Sequence, residues 1–153
     1  MNIKNIEDTF KKAYQDHQAS KFKEAEKLYR QILDTDPEHF GSNYLLGSLF
    51  AQTKNFYEAK VLLQKALKID PNYAEAYYNL GNVLTELKEI QEAILCFQKS
   101  IKINPKNADA NNNLGNLFKK VGKFIEAENL YKKAIKIDPN YAEAYNNIGV
   151  IYK

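Results

Sequence analysis

Asparagine is the side chain with most to offer chemically in this sequence, and its placement is regular. Asn79, Asn113 and Asn147 stand 34 residues apart, within the pairs Tyr78-Asn79, Asn112-Asn113 and Asn146-Asn147. Each side-chain amide carries donors and an acceptor. A row of such amides matches the C=O and N–H groups of an extended peptide backbone, with little regard to peptide sequence. A background biased toward Asn, Lys and Ile is the competing origin of the pattern, and Asn55, Asn107 and Asn129 fit that origin.

Groups that would catalyse are sparse. Cys96 sits beside Phe97 on an apolar stripe and reads as a small buried side chain rather than a reactive thiol. His17 and His39 have no Cys or His at metal-ligand spacing, so no metal is expected. The carboxylate pairs Glu24 with Glu26 and Glu126 with Glu128 lie in charged stretches, where solvation accounts for them. No phosphate-cradling loop, dinucleotide fingerprint or His-Glu-x-x-His segment occurs. The expectation is a chain that is not an enzyme and needs no cofactor.

The 22 Lys and Arg and 19 Asp and Glu residues give a net charge of +3, with both signs interspersed. Without a block of like charges there is no arm for nucleic acid. No stretch approaches the ~18 apolar residues of a membrane span, and the first residues lack a signal-peptide core. One cysteine and no Asn-x-Ser/Thr triplet give no sign of an oxidising compartment, so a cytoplasmic location is expected.

The elements that must position the asparagines follow from the prolines. Pro37, Pro71, Pro105 and Pro139 are each 34 residues apart, and Asp-Pro-Asn-Tyr-Ala-Glu-Ala at 70–76 recurs at 138–144. Between prolines the apolar residues are spaced by three and four: Tyr77, Leu80, Leu84 and Leu87, then Ile90, Ala93, Ile94, Phe97 and Ile101. That spacing predicts two amphipathic helices per period. Proline drives the preceding residue out of the α region, so Asp70, Asn104 and Asp138 should close helices. Asn72 and Asn140 are placed to cap the next ones, with Glu75 and Glu143 as capping-box partners. Gly47, Gly81, Gly115 and Gly149, and Ala25, Ala59, Ala93 and Ala127, also recur at 34. Glycine within a helix costs about 1 kcal/mol relative to alanine, so a periodic one implies close helix packing. Hairpins this short cannot bury their faces alone and must stack, which makes the fold class all-α.

Leu80-Gly81, Leu84, Ala93, Phe97 and Pro105 resemble the tetratricopeptide signature: Leu-Gly, a large residue three on, Ala-x-x-x-aromatic, and Pro. The resemblance covers nearly the whole chain, as a tetratricopeptide domain over 1–153 with repeats at 6–39, 40–73, 74–107 and 108–141 and a partial fifth at 142–153. The aromatic that precedes Leu-Gly in the family is Tyr77 and Tyr145 in two repeats but Asn43 and Asn111 in two others, and Lys12-Ala13 replaces Leu-Gly in the first. The partial fifth repeat suggests the N-terminal part of a longer protein, or self-association through the C-terminal helix.

The resemblance implies a right-handed superhelical solenoid whose first helices line a concave groove. It also implies a non-catalytic scaffold that binds a protein or extended peptide there. The family's groove positions fall on Tyr14 and His17, on Tyr44 and Ser48, on Tyr78, Asn79 and Asn82, on Asn112, Asn113 and Asn116, and on Asn146 and Asn147. Their asparagine ladder is similar to that of the helical repeats of O-linked N-acetylglucosamine transferases. The alternative function is therefore the substrate-presenting arm of a larger enzyme, a glycosyltransferase. Members that clamp a terminal carboxylate use lysines where this chain has Tyr44, Tyr78 and Asn112, so no clamp is expected. Lys119 and Lys120 read as solvent-facing. Glu75, Glu86, Asp109 and Glu143 on the expected groove count against nucleic acid.

Overall fold

The computed structural model describes residues 3–151; Tyr152 and Lys153, at the end of the partial fifth repeat, lie outside the described residues. Among the described residues there are nine α-helices and no strand. They are α1 (Ile3–Gln18), α2 (Phe22–Thr35), α3 (Phe40–Gln52), α4 (Phe56–Ile69), α5 (Ala74–Glu86), α6 (Ile90–Ile103), α7 (Ala108–Lys120), α8 (Phe124–Ile137) and α9 (Ala142–Ile151). Odd-numbered helices are the first and even-numbered helices the second of each hairpin.

Two local devices set the helix ends. After each complete first helix the chain takes one left-handed residue, Ser20, Lys54, Lys88 or Gly122, with φ of 58°, 63°, 62° and 80°. The next N–H then reaches back five residues: Lys21 to the Asp16 carbonyl, Asn55 to Phe50, Glu89 to Leu84 and Lys123 to Phe118, at 2.8–2.9 Å. This is the Schellman closure, and only Gly122 adopts it without a Cβ penalty. Each second helix ends at the residue before proline, with Asp36, Asp70, Asn104 and Asp138 as C-caps.

The starts of the first helices depart from expectation. Asn72 and Asn140 do not cap α5 and α9. Their own N–H groups donate to Asp70 and Asp138 carboxylates at 2.9 Å. This Asx turn commits residue 72 or 140 to the connection, so the helix opens later. The capping place falls one residue on. There His39 Nδ1 accepts from the Ser42 N–H and Asn107 Oδ1 from the Ala110 N–H, whereas Tyr73 gives α5 no side-chain cap.

The chain divides into two compact units, Met1–Asn72 and Tyr73–Lys153. In the first, α1 pairs with α2 and α3 with α4, and α2 packs on α3. In the second, α5 pairs with α6 and α7 with α8, α6 packs on α7, and α9 packs on α8. Within the hairpins the periodic glycines receive large side chains from the second helix. A Cβ on Gly47, Gly81 or Gly115 would lie 2.9, 2.8 or 2.6 Å from Leu63, Phe97 or Tyr131. Ala25, Ala59, Ala93 and Ala127 are wholly buried at the same seams. Asn43 and Asn111, standing where an aromatic is usual, are also buried. Their Nδ2 groups donate to the carbonyls one turn back, His39 and Asn107, at 3.0 and 2.8 Å.

Candidate functional site

In the second unit α5, α7 and α9 bring Asn82, Asn112, Asn113, Asn116 and Asn147 to one polar face. Asn113 Nδ2 on α7 donates to Asn82 Oδ1 on α5 at 2.9 Å and more weakly to the Tyr78 hydroxyl at 3.5 Å. One repeat on, Asn147 Nδ2 on α9 donates to Asn112 Oδ1 on α7 at 3.1 Å. Neighbouring first helices are thus stitched by amide-to-amide bonds. The pairs are 31 and 35 residues apart rather than 34, because side chains of one helix settle between those of the next.

Charged groups complete the network. Glu143 Oε1 accepts from Asn112 Nδ2 at 2.9 Å and from Asn116 Nδ2 at 3.3 Å. Asn116 Oδ1 accepts from the Tyr131 hydroxyl of α8 at 2.8 Å, and Asn147 Oδ1 from Lys119 Nζ at 3.0 Å. The Tyr141 hydroxyl donates to Asp109 Oδ1 at 2.7 Å. Burial first, and the Glu143 charge second, push the Tyr131 phenol up to about 12. Burial raises Tyr141 as well, and its hydrogen bond to Asp109 and the charges of Asp109 and Glu143 add to this. Both phenols are therefore donors at neutral pH, and their acceptors are a neutral amide and a carboxylate.

The candidate residues separate by exposure. Asn146 is exposed, while Tyr78, Asn79, Asn82, Asn113, Asn116 and Asn147 are half-buried. Asn112 has no accessible surface, and both ends of its amide are held internally, so it braces the face rather than meeting a partner. In the first unit Tyr44 is half-buried and stacks on Phe40, with ring centroids 6.1 Å apart. Ser48 is buried and its hydroxyl donates to the Tyr44 carbonyl of its own helix at 2.9 Å. His17 is buried too, edge-on to Phe22 and Tyr29. Lys119, expected in solvent, is partly buried and bonded to Asn147. Three surface clefts of 380–440 Å³ contain none of these residues. Sequence reasoning missed Tyr131 and Tyr141 as members of the network. It noted Glu143 only for its charge and its capping position. The recurrence of Glu75, Asp109 and Glu143 at 34 was the available signal.

Family models for the tetratricopeptide repeat match residues 74–107 and 96–129, and one for the TPR repeat matches 47–87 and 121–153. Crystal structures of MamA superpose with TM-scores of 0.87 and 0.90 at 30% and 29% identity. They match 99% and 96% of this chain and 84% and 80% of theirs. The chain belongs to the tetratricopeptide-repeat family. YrrB, described as a TPR protein with an unusual peptide-binding site, shares the fold with a TM-score of 0.86 at 24% identity, over 94% of this chain and 74% of its own. A comparison with curated proteins gave no match. Tetratricopeptide-repeat proteins bind proteins or peptides and are in general non-catalytic scaffolds. This tetratricopeptide array has, among the described residues, no group of three or more His, Cys, Asp or Glu placed to hold a metal ion. No helix there is long and apolar enough to cross a membrane. Its one cysteine, Cys96, is buried on α6. Burial, with the Glu92 charge adding to it, pushes the thiol up to about 11, away from nucleophilic use.

Proposed function

We propose that this chain is a protein-interaction scaffold that holds an extended peptide across the first helices of its second unit. Tyr78, Asn79, Asn82, Asn113 and Asn146 are the contact residues. The supporting observation is the direct hydrogen bond from Asn113 to Asn82, which sets amides of successive first helices side by side. Asn113 commits its Nδ2 to α5 and keeps Oδ1 for a peptide N–H. Asn82 accepts at Oδ1 and keeps Nδ2 for a peptide C=O. This pair therefore presents one acceptor and one donor, the requirement of an extended backbone.

The test is capture of peptides from an arrayed random-sequence library by the full chain, followed by anisotropy titration of those captured. Asn79→Ala, Asn113→Ala and Asn146→Ala together should weaken binding at least tenfold, since each lost hydrogen bond contributes about 1 kcal/mol. Circular dichroism checks that helix content is retained. A folded triple variant that captures the same peptides with unchanged affinity overturns the assignment.

A further inference from the structure

The amides of the second unit do not distinguish one peptide from another, but the charges around them do. The chain carries a net charge of +3, yet α5 and α9 contain carboxylates and no Lys or Arg. The two lysines of α7, Lys119 and Lys120, are confined to its last turn, and Lys119 is bonded to Asn147. The other helix cations of this unit are on second helices, as Lys99 and Lys102 of α6 and Lys132, Lys133 and Lys136 of α8. With Glu92, Glu126 and Glu128 of α6 and α8 counted as well, the first helices of this unit sum to −2 (Glu75, Glu86, Asp109 and Glu143 against Lys119 and Lys120) and the second helices to +2.

The carboxylates are also in register. Glu75, Asp109 and Glu143 occupy the same first-turn position of α5, α7 and α9, and all three are exposed. The helix dipole accounts for an acid in a first turn. It does not account for Glu143 turning sideways to Asn112 and Asn116, or for Asp109 meeting Tyr141, which aim these carboxylates along the amide face. Adjacent helices pack about 10 Å apart, and an extended chain rises about 3.3 Å per residue, so one repeat spans about three residues of a bound segment.

We propose that the segment held on this face is basic, with Lys or Arg at every third residue meeting Glu75, Asp109 and Glu143 in turn. This rests on the peptide-holding reading above and names the partner's chemistry. Complementary charge of this kind governs encounter and selectivity and weakens with salt.

The probes are synthetic peptides of about twelve residues, matching a span of about three to four repeats: a Lys-Ala-Ala repeat, Ser-Ala-Ala and Glu-Ala-Ala repeats, and a peptide of the same composition with its lysines clustered. Titrated by anisotropy against the full chain, the Lys-Ala-Ala repeat should bind tightest and lose affinity as salt rises. Glu75→Gln with Asp109→Asn and Glu143→Gln should weaken it about tenfold, the sum expected of three exposed pairs. If the triple variant loses helix content, Glu75→Gln with Asp109→Asn leaves the Glu143 bonds intact and should cost about fivefold. Equal binding of the serine and glutamate repeats, or no effect of the charge changes, overturns this inference and leaves the peptide-holding reading standing. Equal binding of the clustered peptide overturns the spacing. Binding by none of the probes overturns the inference too, and the library capture above then decides the broader reading on its own.

Discussion

Replacing a glycine by alanine at two equivalent positions of this repeat should change stability in opposite directions. Gly115 and Gly149 occupy the same place in α7 and α9. A Cβ on Gly115 would sit 2.6, 2.9 and 3.1 Å from three ring atoms of Tyr131, where ordinary carbon contacts are 3.5–4.0 Å. The ring would have to retreat by about 1 Å. It is wholly buried beside Ala127 and Ala134, and its hydroxyl is fixed to Asn116 at 2.8 Å. Overpacking of this kind costs about 1–3 kcal/mol, while the helix gains about 1 kcal/mol from alanine. Gly115→Ala should therefore destabilise the α7–α8 hairpin by about 1 kcal/mol. At Gly149 no heavy atom of a neighbouring element lies within 4 Å, so Gly149→Ala should keep the propensity gain and stabilise α9 by up to about 1 kcal/mol. Stacked repeats need not unfold in one step, so the suitable assay is hydrogen exchange resolved by helix. Faster exchange in α7 and α8 for the first variant, and slower exchange in α9 for the second, is the expected pair of results. If Gly115→Ala slows exchange as Gly149→Ala does, the close-packing account of the periodic glycines is wrong.

Two further predictions concern buried polar groups. Ser100 is wholly buried with no partner for its hydroxyl, and its counterparts one repeat either side are Ala66 and Ala134. Ser100→Ala should raise the stability of the second unit by about 1 kcal/mol, seen as a higher urea midpoint, and a fall would mean the hydroxyl is satisfied. His17 has a lowered pKa because burial among Phe22 and Tyr29 disfavours its charge, which a hydrogen bond with Gln52 only partly offsets. The unfolded chain therefore binds more protons below about pH 6.5, and stability present above that value is lost as pH falls toward the folded pKa. Exchange protection in α1 and α2, taken relative to the intrinsic rate at each pH, should fall between about pH 7 and pH 5, and His17→Gln should flatten that response. An unchanged slope in the variant would rule His17 out.

Helix existence and hairpin pairing were legible because each follows from one residue type with one physical effect. Proline ends the second helices at Asp36, Asp70, Asn104 and Asp138, and the missing Cβ of Gly81 admits the Phe97 ring. Two features were not legible. The capping reading put Asn72 and Asn140 at the helix start, but a nearer acceptor, the preceding aspartate, takes their N–H groups first. The ladder reading aligned Asn79, Asn113 and Asn147 because they are equivalent in the repeat. Equivalence is not contact, since adjacent helices interlock half-way between turns, and Asn113 meets Asn82 and Tyr78 instead. The same offset seals Asn112 between Glu143 and Asn147, which a 34-residue period alone does not disclose.

That offset also constrains how binding energy can arise on this face. Amides already bonded to one another, as Asn113 is to Asn82, resemble amides bonded to water: a ligand that displaces such a pair exchanges one neutral hydrogen bond for another, at a net gain of about 1 kcal/mol or less. Side-chain amides alone would then give a weak and unselective site. What the neighbouring helices cannot satisfy internally is charge, because Glu75, Asp109 and Glu143 have only neutral donors, or none, on the face they share. A cationic partner adds an interaction that the unbound face lacks, so selectivity should reside in the carboxylate row and orientation in the amides. The two contributions are separable by salt: raising ionic strength should erode discrimination between basic and neutral peptides while leaving the amide contribution in place.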